Sequence, residues 1–100
     1  MNRKEYLLDC LMEEAAEVQQ AASKCLRFGF DAYNPKDTEH VKNATTLQME
    51  LKDLIAVASM LAKDGYIDFK SLLDEVALKN KIDKIERYMN ISNKCGTLID

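Results

Sequence analysis

Apolar residues recur along this chain in three runs at three- and four-residue steps, separated by polar, glycine-bearing breaks. In the first run Leu7, Leu11, Ala15, Val18, Ala22 and Cys25 fall on one stripe, the period of an amphipathic helix. The stripe predicts a helix from Arg3 to about Arg27. Asn2 is its expected N-cap, Glu5 completes a capping box, and Gly29 is the stop. Leu47, Leu51, Leu54, Ala58 and Leu61 define a second helix, Ala44 to about Lys63, opened by Asn43 as N-cap and closed by Gly65. A third is expected from Phe69 to about Met89 behind Asp68. Its first half should point Phe69, Leu72, Leu73 and Val76 inward, after which the same face turns polar through Lys79, Asn80, Asp83 and Arg87. Leu78, Ile82, Ile85 and Met89 open a second apolar stripe about 120° or more away. Residues 90–100, with Gly96, read as a loosely held tail.

These elements predict an all-α fold, a bundle of three main helices with the first two antiparallel, formed by a single domain spanning residues 1–100. Three glycines and one proline are too few for the turns of a sheet-rich fold. The second stripe on the third helix exceeds what one small bundle can hide, so completion by oligomerisation, as a homodimer or homotetramer, is expected.

The candidate chemistry lies beside the first two stripes. Leu11 to Val18 reads Leu-Met-Glu-Glu-Ala-Ala-Glu-Val, and Leu47 to Leu54 reads Leu-Gln-Met-Glu-Leu-Lys-Asp-Leu, 36 residues later. Both obey Leu-x-x-Glu-x-x-(Glu/Asp)-(Val/Leu). On a helix, Glu14 lies about 60° to one side of the Leu11/Val18 stripe and Glu17 about 60° further round, with Glu50 and Asp53 in matching positions. If the two helices pack through their stripes, four carboxylates converge on one edge of the seam. Such a cluster repels itself unless a cation sits among its members, and a hard divalent ion with oxygen ligands, Mg²⁺ first, suits it. Taken singly, each acidic pair reads as readily as the solvated flank of an ordinary helix.

Between the first two helices the pattern breaks. Phe28, Phe30 and Tyr33 bunch beside Gly29, and Asn34-Pro35 marks a turn. Aromatics in this loop could stack on a base or plug the end of the bundle. His40, the only histidine, has no metal-ligand spacing. Lys24, seven residues beyond Glu17 on the acidic flank, is a candidate substrate contact and also reads as a solvated lysine.

Taken in order, Glu13-Glu14-Ala15-Ala16-Glu17 and Glu50-Leu51-Lys52-Asp53 resemble the EExxE…ExxD signature of the MazG-like all-α nucleoside triphosphate pyrophosphohydrolases. Dimeric dUTPases and phosphoribosyl-ATP pyrophosphatases are cousins in that superfamily. The resemblance extends through Lys24-Cys25-Leu26-Arg27-Phe28-Gly29, Asn43 and the basic stretch from Lys79 to Arg87. It implies hydrolysis of a nucleoside triphosphate to the monophosphate and pyrophosphate, with Mg²⁺ (or Mn²⁺ as a substitute) held by Glu14, Glu17, Glu50 and Asp53. It also implies sites completed by dimers or tetramers. Lys52 stands where many relatives have glycine, and the tryptophans that some relatives use near the base are absent.

The residues fit that chemistry. A triphosphate carries about four negative charges, so a cation has to bridge it to the carboxylates. No Cys/His or Ser/His constellation offers a nucleophile, which favours direct attack by water with Glu13 or Glu17 as general base. Lys79, Asn80, Lys84 and Arg87 are the candidate phosphate contacts, with Lys24 a further candidate for binding substrate. A competing reading is a non-enzymatic helical interaction module with the acidic pairs as solvated flank. A di-iron carboxylate bundle is disfavoured because neither motif carries a histidine.

Net charge and cysteine usage narrow the setting. A net charge of −3 leaves no basic footprint for nucleic acid. No apolar run approaches a membrane span, and the residues after Met1 lead into no signal-peptide core. Cys10, Cys25 and Cys95 are odd in number and lack CxxC spacing, so reduced thiols and a cytoplasmic setting are expected.

Overall fold

The computed structural model describes residues 1–99, which form helices and turns with no strand among them. The helices are α1 (Arg3–Phe28), α2 (Asn43–Lys63), α3 (Phe69–Leu72) and α4 (Glu75–Lys94). They divide into two compact units, Met1–Ile67 and Asp68–Asp100.

In the first unit α1 packs along α2. The two are antiparallel, because contacts join opposite ends: Arg3 Nε donates to Asp64 Oδ2 at 2.7 Å, and Asn43 Nδ2 donates to the Gly29 carbonyl at 3.0 Å. Asn2 caps α1 as its sequence suggests, with Oδ1 accepting from the Glu5 amide at 2.9 Å. Gly29 ends it at φ 96°, a conformation that favours glycine, with its N–H on the Cys25 carbonyl.

The start of α2 differs from the expectation. Asn43 is its first residue rather than its cap, and Lys42 stands at the cap position with no side-chain bond to the helix. The connecting loop does the capping. The Asn43 and Ala44 amides donate to the carbonyls of Ala32 and Phe30 at 2.8 and 2.9 Å. These bonds satisfy N–H groups that a helix start leaves without intrahelical partners, which frees the Asn43 side chain to close the loop on Gly29.

The packing seam also runs differently from the predicted stripe. On α1 it passes through Leu7, Leu11, Glu14, Val18, Ala21 and Cys25, alternating steps of four and three. On α2 it follows the same alternation through Asn43, Leu47, Glu50, Leu54, Val57 and Leu61. This is the 3.5-residue repeat that keeps two helices in register along their length. Ala22 and Leu51, expected on the stripes, are exposed, while Ala21 is 4% exposed and Leu61 1%. The stripe read from apolar letters steps around Glu14 and Glu50; the seam includes them.

In the second unit the expected helix 69–89 is broken. Asp68 Oδ1 accepts from the Lys70 amide and starts one turn, and then Asp74 Oδ2 accepts from the Ala77 amide at 2.9 Å and starts α4. An aspartate cap followed by Glu75 in the first turn suits the positive end of the helix dipole, so the restart is locally favourable. Leu72, Leu73 and Val76, expected to point inward, are exposed. Helix α4 also outruns the expected end at Met89, reaching Lys94. Beyond it the Thr97 and Leu98 amides fold back onto the Ser92 carbonyl, so much of the expected loose tail has regular hydrogen bonding.

Candidate functional site

Because α1 and α2 are antiparallel and in register, Glu14 and Glu50 meet midway along the seam. One carboxylate oxygen from each of Glu14, Glu50 and Asp53 lies within 4.8 Å of the other two. Glu14 and Glu50 are half-buried and Asp53 is exposed. Oε2 of Glu14 and Oε2 of Glu50 are closed off from solvent and have no hydrogen-bond partner. Burying a carboxylate oxygen without a donor is costly. Two such atoms in one seam would be relieved by positive charge between them. Three donors that are all oxygen and lie within 4.8 Å of one another are near enough to share one ion, and oxygen donors fit Mg²⁺ or a similar hard cation.

The fourth expected ligand, Glu17, lies outside that three-oxygen set but next to both glutamates. Its influence appears in their acidities. The Glu14 carboxyl is held above the ordinary range, first by desolvation and then by repulsion from Glu17 and Asp53. Glu50 is raised too, first through a proton it can share with Glu17, then by desolvation and by the charges of Glu17, Asp53 and Glu14. Positive charge placed among these carboxylates would relieve that repulsion. Glu13 is exposed and adds only the smallest contribution to the repulsion on Glu14.

Toward the loop end of the hairpin, α1, the loop and the start of α2 enclose a pocket of about 750 Å³. Lys24 lines it, as does Arg27, which the sequence reading had left out of its candidates. The signal for Arg27 was available, since it follows Lys24 by three positions and shares its helix face. Phe28 and Tyr33 line the pocket as well; Phe30 does not.

The remaining candidates lie in the second unit. Asn80, Lys84 and Arg87 follow one another on α4 at steps of four and three and so share a face, all exposed. Lys79 is turned to its own helix, with Nζ on Asp83 Oδ2 at 3.1 Å. Among the described residues no helix is long and apolar enough to cross a membrane.

No curated protein and no solved structure matches this chain. The family model described as the MazG nucleotide pyrophosphohydrolase domain matches residues 2–88, a span that includes both acidic motifs and the basic face of α4. Families of this kind are generally dependent on divalent metal, in keeping with the three-carboxylate cluster. By the extent of that match, the chain belongs to the MazG nucleotide pyrophosphohydrolase family.

Proposed function

We propose that the protein hydrolyses a nucleoside or deoxynucleoside triphosphate to the monophosphate and pyrophosphate, with Mg²⁺ held by Glu14, Glu17, Glu50 and Asp53. The observation that carries this reading is the pair of solvent-excluded, partnerless oxygens on Glu14 and Glu50, with an Asp53 oxygen beside them. When bound, the ion neutralises phosphate charge and makes water a stronger nucleophile at neutral pH. Glu17 is better placed than Glu13 to accept a proton from the attacking water, because it borders both seam glutamates while Glu13 is exposed. Lys24, Lys79, Asn80, Lys84 and Arg87 are the proposed contacts to the triphosphate, as donors that favour charge developing on the departing pyrophosphate. The family match runs through both compact units, which supports treating the chain as one catalytic domain.

The same reading includes self-association as a dimer or tetramer. Only Leu7, Ala21, Cys25 and Leu61 are buried among the described hydrophobic residues. Leu78, Ile82, Ile85 and Met89 are 45–55% exposed on α4, more apolar surface than a monomer of this size usually leaves open. A purely structural interaction module would account for that stripe but not for the seam carboxylates.

The test is a panel of ribo- and deoxyribonucleoside triphosphates assayed for pyrophosphate release, alongside melting curves with and without Mg²⁺. Release of pyrophosphate together with a metal-dependent rise in Tm is expected. A protein whose Tm ignores Mg²⁺ and Mn²⁺, and which cleaves no triphosphate, would be the interaction module instead.

A further inference from the structure

The pocket at the loop end of the α1–α2 hairpin has the chemistry of a nucleoside site. Its loop is held in one shape from within. Asn34 Oδ1 accepts from the Lys36 amide, Asp37 Oδ1 and Oδ2 accept from the amides of Glu39 and Val41 at 3.0 and 2.8 Å, and Asn43 closes the loop on Gly29. His40 adopts φ 55°, uncommon for a residue with a side chain, and lies stacked on Tyr33 with ring centroids 4.3 Å apart and planes 19° from parallel. Stacking occupies one face of the Tyr33 ring. Tyr33 lines the pocket and His40 does not, so His40 acts as a backing that fixes the tyrosine. Phe28 lines the same pocket, with the Arg27 guanidinium 5.0 Å from its ring centre.

The pocket is also correctly spaced from the carboxylates. Thr46 and Asn43, both lining it, lie four and seven residues before Glu50 on α2, and Lys24 lies seven after Glu17 on α1. At the helical rise these offsets are roughly 6–11 Å, a span that a triphosphate chain bridges. The cations Lys24 and Arg27 border a second, shallower depression on α1 as well, so they are reachable from outside the pocket.

We propose that this pocket receives the nucleoside portion of the substrate, with Tyr33 as the stacking platform, His40 as its positioning residue, and Lys24 and Arg27 meeting the first phosphate. A planar base suits a rigid aromatic face, and an anionic end suits the two cations beside it. This rests on the pyrophosphohydrolase reading for its substrate, but not for its test.

The test is an NMR titration of the whole chain, with Mg²⁺, using the monophosphates of adenosine, guanosine, cytidine, uridine and thymidine, and separately inorganic tripolyphosphate. Wild type is compared with Tyr33→Ala, Tyr33→Phe and Phe28→Ala, each checked for native helix content. At least one monophosphate is expected to shift the Tyr33 and Phe28 ring resonances. Tyr33→Ala should weaken that ligand about tenfold, as loss of one base-stacking contact does, while Tyr33→Phe restores it. Affinity for tripolyphosphate should fall much less. Ring resonances that ignore every monophosphate overturn the proposal, as does equal weakening of monophosphate and tripolyphosphate by Tyr33→Ala. If Tyr33→Ala loses its helix content, Phe28→Ala and Tyr33→Phe decide by the same criterion. A protein that cleaves no triphosphate yet binds a monophosphate through Tyr33 refutes the reaction and leaves the pocket standing.

Discussion

Glu14 and Glu50 occupy matching positions of the α1–α2 packing seam, each with an Oε2 atom shut away from solvent and lacking a hydrogen-bond partner. Elsewhere that seam is filled by residues such as Leu7, Ala21 and Leu61. Two carboxylates standing where a helix pair otherwise packs apolar side chains weaken the fold unless positive charge offsets them.

Replacing Glu50 by Gln keeps its shape and removes one charge from this cluster. In metal-free buffer the Tm should stay level or rise slightly, because a repulsion disappears. With Mg²⁺ the metal-induced rise in Tm should vanish and turnover should drop by orders of magnitude. Arg87→Ala should instead keep the metal response and lose triphosphate binding or turnover. If Glu50→Gln lowers the metal-free Tm and leaves the Mg²⁺ response intact, Glu50 is a structural residue.

A stronger form of the same contrast is Glu14→Leu combined with Glu50→Leu, which makes the middle of the seam apolar on both helices. Exchanging poorly compensated buried carboxylates for leucine is expected to stabilise the metal-free protein while abolishing activity and any response to metal. Thermal melts in EDTA and in Mg²⁺ report both effects. A lower Tm in EDTA would show that the seam is shaped around the glutamates.

The raised pKa values of Glu14 and Glu50 set the sign of the pH dependence. Each binds its proton more tightly folded than unfolded, so this contribution is fully present below the ordinary glutamate pKa and is lost as pH rises through the higher folded values. In EDTA the Tm should therefore decline over the range above the ordinary glutamate value, against whatever the other groups contribute. Saturating Mg²⁺ should flatten that decline, and Glu50→Gln should reduce it. A decline identical in wild type and Glu50→Gln, with and without metal, would detach it from this cluster.

The exposed stripe on α4 predicts association. Light scattering at micromolar concentration and physiological salt should give the mass of a dimer or tetramer. Ile82→Glu, which places a charge at the centre of Leu78, Ile82, Ile85 and Met89, should shift the population toward monomer. A monomeric wild type would contradict this assembly.

Leu61 is the most enclosed side chain of the first unit, 1% exposed. Leu61→Ala should cost about 2–5 kcal/mol by denaturant melts, the range for an aliphatic side chain cut back inside a packed seam. A cost under about 1 kcal/mol would mean that the seam end collapses around the vacancy.

What this chain's sequence determined by itself is whatever neighbouring residues decide among themselves. Asn2 and Gly29 bound α1 through bonds to residues three and four positions away, and the two Leu-x-x-Glu-x-x-(Glu/Asp) runs mark the acidic helices. The restart at Asp74 was local as well, written in Asp74-Glu75, but the helical spacing of Phe69, Leu72, Leu73 and Val76 across it masked it. The tertiary structure decided matters that depend on a distant partner. Whether α1 turns Ala15 and Ala22 or Glu14 and Ala21 toward α2 differs by a fraction of a turn, and the letters favour the apolar choice because a carboxylate in a seam is costly. Only the facing helix, bringing Glu50 and Asp53 to Glu14, supplies the reason for that cost. Asn43 likewise resembles a cap until folding brings Gly29, fourteen residues earlier, within reach of its side chain. Tyr33 and His40 are only two members of a loop until Asp37 and Asn43 fix that loop and stack one ring on the other.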